Sequence, residues 1–337
     1  MSYPLGAMSS IAVIGTTSWG TTLAVLLARN GHDVALIART TAEADSLDAA
    51  RENPRHRPGL RFPTNLRATI DPETLATADL IVLAVPSASL RANLTRLAPA
   101  FAPEASVLSA VKGMEPEGCL RMSEVIEAFG VEAQRILVLS GPNFAGEIAA
   151  GLPAATVIAG ADPGRARQAQ ALLNGPTFRV YTSEDVAGVE LGAALKNVVA
   201  VACGLSDGLG YGENAKAGLI TRSLAEITRL GIAAGANPMT FLGLAGLGDL
   251  VLTCGSDVSR NRRLGLTLAK GMALDDALAS IDGVVEGAVT ARAIPGLVRR
   301  FGVELPVCQS LYAVLYEGKP PGEAVRELMS RAAKPEF

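Results

Sequence analysis

Residues 11–30, Ile-Ala-Val-Ile-Gly-Thr-Thr-Ser-Trp-Gly-Thr-Thr-Leu-Ala-Val-Leu-Leu-Ala-Arg-Asn, constrain the fold of this chain more than any other stretch. An apolar run ends at Gly15, a second glycine follows at Gly20, and an Ala- and Leu-rich run continues to Asn30 ahead of Gly31. That order reads as strand, tight turn and helix. Gly15 gives the turn its freedom, Gly20 lets helix and strand approach closely, and the helix over 21–30 stops at a glycine.

Further apolar runs recur at 34–38, 80–85, 107–111, 136–139 and 155–159, with helical segments between them. Unbroken runs of this kind suit parallel strands buried on both faces, so the expected class is α/β. A doubly wound, Rossmann-type sheet is expected over residues 9–184. Beyond Thr182 such runs give way to helical spacing, as in Ile220, Leu224 and Ile227, or Leu311, Val314 and Leu315. An all-α domain is therefore expected over 185–337, opening on a long helix that Asp185 caps and that carries Glu190, Lys196 and Val201.

Composition removes several function classes. With 337 residues, 49% of them hydrophobic, the chain is long enough for two cores. Its 30 basic and 33 acidic side chains lack the basic excess that phosphate-backbone binding uses, so no nucleic-acid partner is expected. The four cysteines (Cys119, Cys203, Cys254, Cys308) form no CxxC pair and there are two histidines, which gives no zinc pattern. No metal is expected, and dispersed free thiols suit a reducing cytoplasm. Residues 1–8 have no basic region ahead of a long apolar run, so no signal peptide is expected. Mean hydropathy is +0.31. Even so, the uncharged stretch 231–248 is broken by Asn237, Pro238 and glycines, and no membrane span is expected. Glycines in the helical half allow close packing within one chain or across a homodimer.

The glycine turn points to a dinucleotide, with one departure. The middle position, where glycine normally lets the backbone meet the pyrophosphate, holds Thr17. A Cβ there pushes the pyrophosphate away unless the turn is wider or the hydroxyl bonds a phosphate oxygen, and the hydroxyl is the expected escape. Arg39 stands 24 residues beyond Gly15, about where an acidic residue would hold the adenosine ribose. A guanidinium there suits a 2′-phosphate, which favours NADPH with NADH as the second choice; the plain alternative is a solvated arginine.

Hydride transfer requires a proton donor. His32 lies in a helix-to-strand turn and His56 in the loop 53–58, which leaves lysine. Lys196 is the only basic residue in an apolar helical stretch, where burial or a neighbouring cation would bring its pKa toward the working range. A lysine snorkelling at a helix edge is the plain alternative. Lys112 follows the strand 107–111 and points to the crevice at the carboxyl ends. Residues 140–147 follow the next strand, where loop amides contact anions. Asp249 follows a glycine turn, and Ser259, Arg260 and Asn261 open a helix that suits a phosphate, or else is simply a capped, charged first turn.

Together, Ser18-Trp-Gly-Thr-Thr-Leu-Ala, Val111-Lys-Gly-Met-Glu, Ser140-Gly-Pro-Asn-Phe-Ala, Leu195-Lys-Asn-Val, Gly204-Leu-Ser-Asp-Gly-Leu-Gly, Gly246-Leu-Gly-Asp-Leu-Val-Leu-Thr-Cys, Ser259-Arg-Asn-Arg-Arg and Val284-Val-Glu-Gly resemble the bacterial glycerol-3-phosphate dehydrogenase family over residues 11–319. That family makes sn-glycerol 3-phosphate for phospholipids with NAD(P)H. The resemblance implies Lys196 as proton donor and acceptor, with Lys112 and Asp249 assisting. It implies substrate contacts at Lys112, Gly141, Asn143, Lys196, Asp249, Ser259, Arg260 and Asn261. Cofactor contacts are implied at Ser18, Trp19, Arg39, Lys112, Ala145, Arg260, Val284 and Glu286, beside Gly15 and Gly20 of the turn. Three positions depart from the family: Thr17, Asn143 where it has Ser or Thr, and Gly146 where it often has Lys. A dehydrogenase of another hydroxy or keto acid and a non-catalytic dinucleotide sensor are the rival readings.

Overall fold

The computed structural model describes residues 8–333, 335 and 336. It divides into two compact units. The first runs to Lys112 and resumes over Arg121–Glu190; the second holds Gly113–Leu120 and continues from Leu191.

The strands in chain order are β1 (Ser10–Ile14), β2 (Asp33–Ile37), β3 (Glu52–Asn53), β4 (Arg57–Arg61), β5 (Leu66–Thr69), β6 (Leu80–Leu83), β7 (Ser106–Ser109), β8 (Met114–Glu115), β9 (Leu120–Arg121), β10 (Ile136–Ser140), β11 (Ala154–Gly160) and β12 (Phe178–Ser183). Eight of them form the sheet of the first unit in the order β12-β11-β10-β7-β6-β1-β2-β5. β1 sits between β2 and β6, with Ile14 opposite Ile37 on one side and Leu83 on the other. The strand order reverses there, and in such sheets ligands bind beyond the carboxyl ends at that point. The wholly parallel expectation needs one correction: β10 and β11 are antiparallel. Residues 141–153 between them hold only the short helix Ala145–Ala149, so no crossover carries the chain back to the start of β10.

β5 and β12 were not expected from the apolar runs. Both are edge strands, and β12 alternates buried and exposed residues at first, as a half-covered edge does. The core of this unit gathers Leu23 and Leu27 of the helix Ser18–Arg29 with Val13, Leu36, Leu66, Val82, Leu108, Leu137 and Phe178.

The second unit carries no strand among its described residues after Leu191. Its long helix Val186–Gly208 starts where Asp185 Oδ1 accepts from Gly188 N at 2.8 Å, as the sequence predicts. This helix is long and apolar enough to cross a membrane, yet 83% of its apolar window is buried in protein, the mark of a core helix. It meets the helix Arg260–Leu268 backbone to backbone: a Cβ at Gly204 would lie 2.0 Å from Arg262 O, and one at Gly265 2.1 Å from Val201 O. These glycines serve packing within the chain. The excursion Gly113–Leu120 is held by Arg300 Nη1, which donates to Cys119 O at 2.9 Å, and by Gly296, whose missing side chain makes room for Cys119 Sγ.

Glu226 lies buried in the helix Gly212–Ala233 and accepts from Val307 N at 2.9 Å and Cys308 N at 3.4 Å, where the helix Pro306–Tyr316 begins. Burial pushes its pKa up to about 7, against the pull of those N–H groups and of Arg229 and Arg331. The folded carboxyl therefore keeps its proton over a window in which the unfolded one has lost it. Its contribution is full below the ordinary carboxylate pKa and is lost as pH rises through about 7, by up to ~3 kcal/mol. In parallel urea titrations of wild type and Glu226→Gln, the stability difference should shift in favour of the variant between pH 5 and pH 8. A pH-independent difference would contradict the assignment.

Candidate active site

In the first unit, the turn after β1 is built by close approach. Gly15 has φ 117°, and a Cβ on it would lie 2.6 Å from Ala84 O at the end of β6. A Cβ on Gly20 would lie 2.0 Å from Gly15 O. Thr17 caps the helix: its Oγ1 accepts from Gly20 N at 3.0 Å and donates to Ala84 O at 2.8 Å. The expectation that this hydroxyl bonds a phosphate is thereby corrected. Its one proton is committed to a strand-end carbonyl, because the turn lies directly on the neighbouring strand.

Ser18 opens the helix, and Trp19 beside it has a buried indole N–H with no partner. Arg39, just past β2, is exposed, and its Nε stands 3.5 Å from Glu43 Oε2. Glu43 also accepts from Arg39 N at 3.0 Å and from the Thr16 hydroxyl at 2.6 Å. Sequence reasoning passed over Glu43, and also Asn53, whose buried Nδ2 donates to Thr16 O (2.8 Å) and Thr21 Oγ1 (2.9 Å). A buried Asn in a charged, Pro-rich segment has no periodic signal to give it away.

At the carboxyl ends of β7 and β10, Lys112 Nζ donates to Gly141 O at 2.8 Å. Gly141 has φ 144°, which favours glycine. Asn143 Nδ2 donates to Thr156 Oγ1 at 2.9 Å, while its Oδ1 is buried without a partner. Ala145 starts the following short helix, and its carbonyl accepts from Thr22 Oγ1 at 3.3 Å. The unpartnered Trp19 N–H and the helix start beside it suit a pyridine dinucleotide.

In the second unit, Lys196 Nζ donates to Asp249 Oδ1 at 2.8 Å and to Thr253 Oγ1 at 2.7 Å. Lys196 is 6% exposed and Asp249 1%. The lysine expected among apolar groups or beside a cation instead has a carboxylate partner. A single π-type turn, Leu244–Gly248, leads into the helix Asp249–Gly255 and sets Asp249 and Thr253 one turn apart on the face toward Lys196. A buried ammonium–carboxylate pair costs several kcal/mol to break on one side, so each member fixes the other.

Nearby in sequence, Ser259 caps the helix Arg260–Leu268 by accepting from Arg262 N at 3.2 Å. Asn261 is tied at both ends: Nδ2 donates to Asn197 Oδ1 and Oδ1 accepts from Gly287 N, each at 2.8 Å. Arg260 is exposed and lies against Gly283, where a Cβ would come 2.5 Å from its Nη1. Val284 and Glu286 follow Gly283 in the chain, Glu286 opening the helix Glu286–Ala291. Asn197 is the partner that the sequence left unnoticed.

The glycine turn at the strand-order reversal is of the dinucleotide-binding kind, and the chain's relatives make the class a nicotinamide-dependent oxidoreductase. Models of the N-terminal and C-terminal parts of NAD-dependent glycerol-3-phosphate dehydrogenase match residues 10–166 and 185–326. The chain is 49% identical over 338 residues to glycerol-3-phosphate dehydrogenase [NAD(P)+] of Streptomyces avermitilis, covering 100% of this chain and 99% of that one. The enzyme of the same name from Streptomyces coelicolor is 50% identical with the same coverage. A crystal structure of glycerol-3-phosphate dehydrogenase from Coxiella burnetii superposes with TM-score 0.91 at 37% identity, over 97% of this chain and 100% of that one. The chain belongs to the NAD(P)-dependent glycerol-3-phosphate dehydrogenase family.

The committed Thr17 hydroxyl makes a clear prediction. Thr17→Val should lower stability by about 1–2 kcal/mol in urea unfolding, through the lost cap and strand bond, while the Kd for NADPH stays within threefold. A tenfold weaker Kd with unchanged stability would return the hydroxyl to the phosphate.

Proposed function

We propose that this chain reduces dihydroxyacetone phosphate to sn-glycerol 3-phosphate with NADPH as the preferred donor, supplying glycerophospholipid synthesis in the cytoplasm. The buried Lys196–Asp249–Thr253 cluster carries this reading, because a buried ammonium held by a carboxylate and a hydroxyl is a proton donor with a fixed position. A reduced nicotinamide, when bound, would supply hydride to the C2 carbonyl carbon. Lys196 Nζ gives a proton to the carbonyl oxygen, Asp249 and Thr253 hold that nitrogen in place, and the proton is regained from solvent. The oxygen gains a bond to hydrogen as the carbon does, so the product is the neutral alcohol.

Lys112 stabilises the charge that develops on oxygen, with Gly141 and Asn143 beside it shaping the approach. The substrate phosphate is held by Ser259, Arg260 and the second Nδ2 hydrogen of Asn261, at a helix start where N–H groups and dipole favour an anion. On the cofactor side, Gly15, Ser18, Trp19, Gly20 and Ala145 hold the dinucleotide with Lys112, Arg260, Val284 and Glu286, and Arg39 pairs with the 2′-phosphate.

Following NADPH oxidation with dihydroxyacetone phosphate against a panel of hydroxy and keto acids tests the reaction. Activity confined to another acid, or absent throughout, would overturn it. Lys196→Ala should lower kcat by about 10²-fold or more with the Kd for NADPH nearly intact; a variant within threefold of wild type would remove Lys196 from the chemistry. Arg39→Ala should raise KM for NADPH roughly tenfold while that for NADH barely moves. Equal changes for both cofactors would show that Arg39 does not read the 2′-phosphate.

A further inference from the structure

The Thr17 turn offers the dinucleotide less than a glycine turn does, since a side chain replaces bare backbone and its hydroxyl is spent on Ala84 O and Gly20 N. A compensating donor is already beside it. Asn53 ties the hairpin of β3 and β4 to the glycine turn through Thr16 O and Thr21 Oγ1, and accepts from His56 N at 3.1 Å. That bend delivers Arg57, the first residue of β4, to the start of the helix Ser18–Arg29, where its Nε donates to Ser18 Oγ at 2.7 Å.

Arg57 is half-buried, and among the described residues no carboxylate pairs with it. Burial alone pushes its pKa down, with no acid contributing. A guanidinium has five N–H donors, of which Ser18 uses one, so Nη1 and Nη2 remain. Arg57 Nη1 lies 3.1 Å from where a Cβ on Gly146 would stand. Gly146 is the position at which the family often has lysine. The cation missing from residue 146 is thus replaced from a different element, and the absent side chain is what gives Arg57 its room. Nearby, the indole N–H of Trp19 is buried without a partner, a second group waiting for an acceptor at this helix start.

We propose that Arg57 is a cofactor-binding residue of this chain, its free guanidinium edge contacting the dinucleotide pyrophosphate beside Ser18. An unpaired, partly desolvated cation next to helical N–H groups is costly alone and favourable with a diphosphate against it. The pyrophosphate is common to NADH and NADPH, so Arg57 adds affinity for both, whereas Arg39 is assigned to the 2′-phosphate. This rests on the first unit binding a dinucleotide.

Direct titration of NADH and NADPH into wild type, Arg57→Gln and Arg57→Lys, by calorimetry without substrate, tests the proposal. In Arg57→Gln the Kd should rise about tenfold for both cofactors, with a shallower salt dependence, and Arg57→Lys should recover part of the loss. In the Arg57→Gln background, Gly146→Lys should restore affinity by returning a cation to the same place. Urea midpoints within error of wild type separate a binding loss from a folding loss, and the Gly146→Lys rescue reads binding even if the midpoint falls. Both Kd values within twofold of wild type would overturn the proposal, as would a loss confined to NADPH, which places the guanidinium at the 2′-phosphate. A wild-type chain that binds neither dinucleotide at millimolar concentration would instead overturn the underlying cofactor assignment.

Discussion

The arrangement of the first unit depends on one steric fact: the backbone of Gly20 rests on the carbonyl of Gly15, which itself rests on Ala84 at the end of the adjacent strand. No side chain fits in either gap. The two contacts fix the helix Ser18–Arg29 against β1 and β6 where the strand order reverses, and Ser18, Trp19 and Thr17 take their positions from it. Thr17 then closes the arrangement with two hydrogen bonds. Its role is structural where that of the usual glycine is to stand aside.

The second unit is organised around a different cost. Lys196 and Asp249 are both withdrawn from water, and neither charge is tolerable without the other. Gly192 lets the π-type turn pass close to the long helix, since a Cβ there would lie 2.8 Å from Ala245 O. The pairing of a buried ammonium with a fixed acceptor therefore follows from backbone proximity between two helices. Asn197, one residue after Lys196, extends the same logic by linking through Asn261 to the start of the helix Glu286–Ala291.

Much of this was legible in the sequence because it is local. Apolar runs, glycine spacing and the cap at Asp185 depend on neighbours within a few residues, and the strands of the sheet interior and the long helix came out where those signals put them. Lys196 stood out as the only basic residue in an apolar helical stretch. What it pairs with did not, since Asp249 lies 53 residues on and nothing in a periodic pattern records the distance. The same holds for Thr17 and Ala84, 67 residues apart, and for Arg57 with Ser18. The direction of β11 was hidden for another reason: a buried strand has the same composition whichever way it runs.

The short excursion Gly113–Leu120 belongs to the second unit although the chain on both sides of it belongs to the first. Its anchors, Ala293, Gly296 and Arg300, come more than 170 residues later. A ribosome releases the chain from its N-terminus, so the sheet strands emerge with this loop attached and nothing yet made for it to rest on. The second unit reaches its finished form only by recovering a piece synthesised inside the first. A gene fragment beginning at the apparent boundary near residue 185 would encode every helix of that unit and still omit the strip on which Arg300 closes.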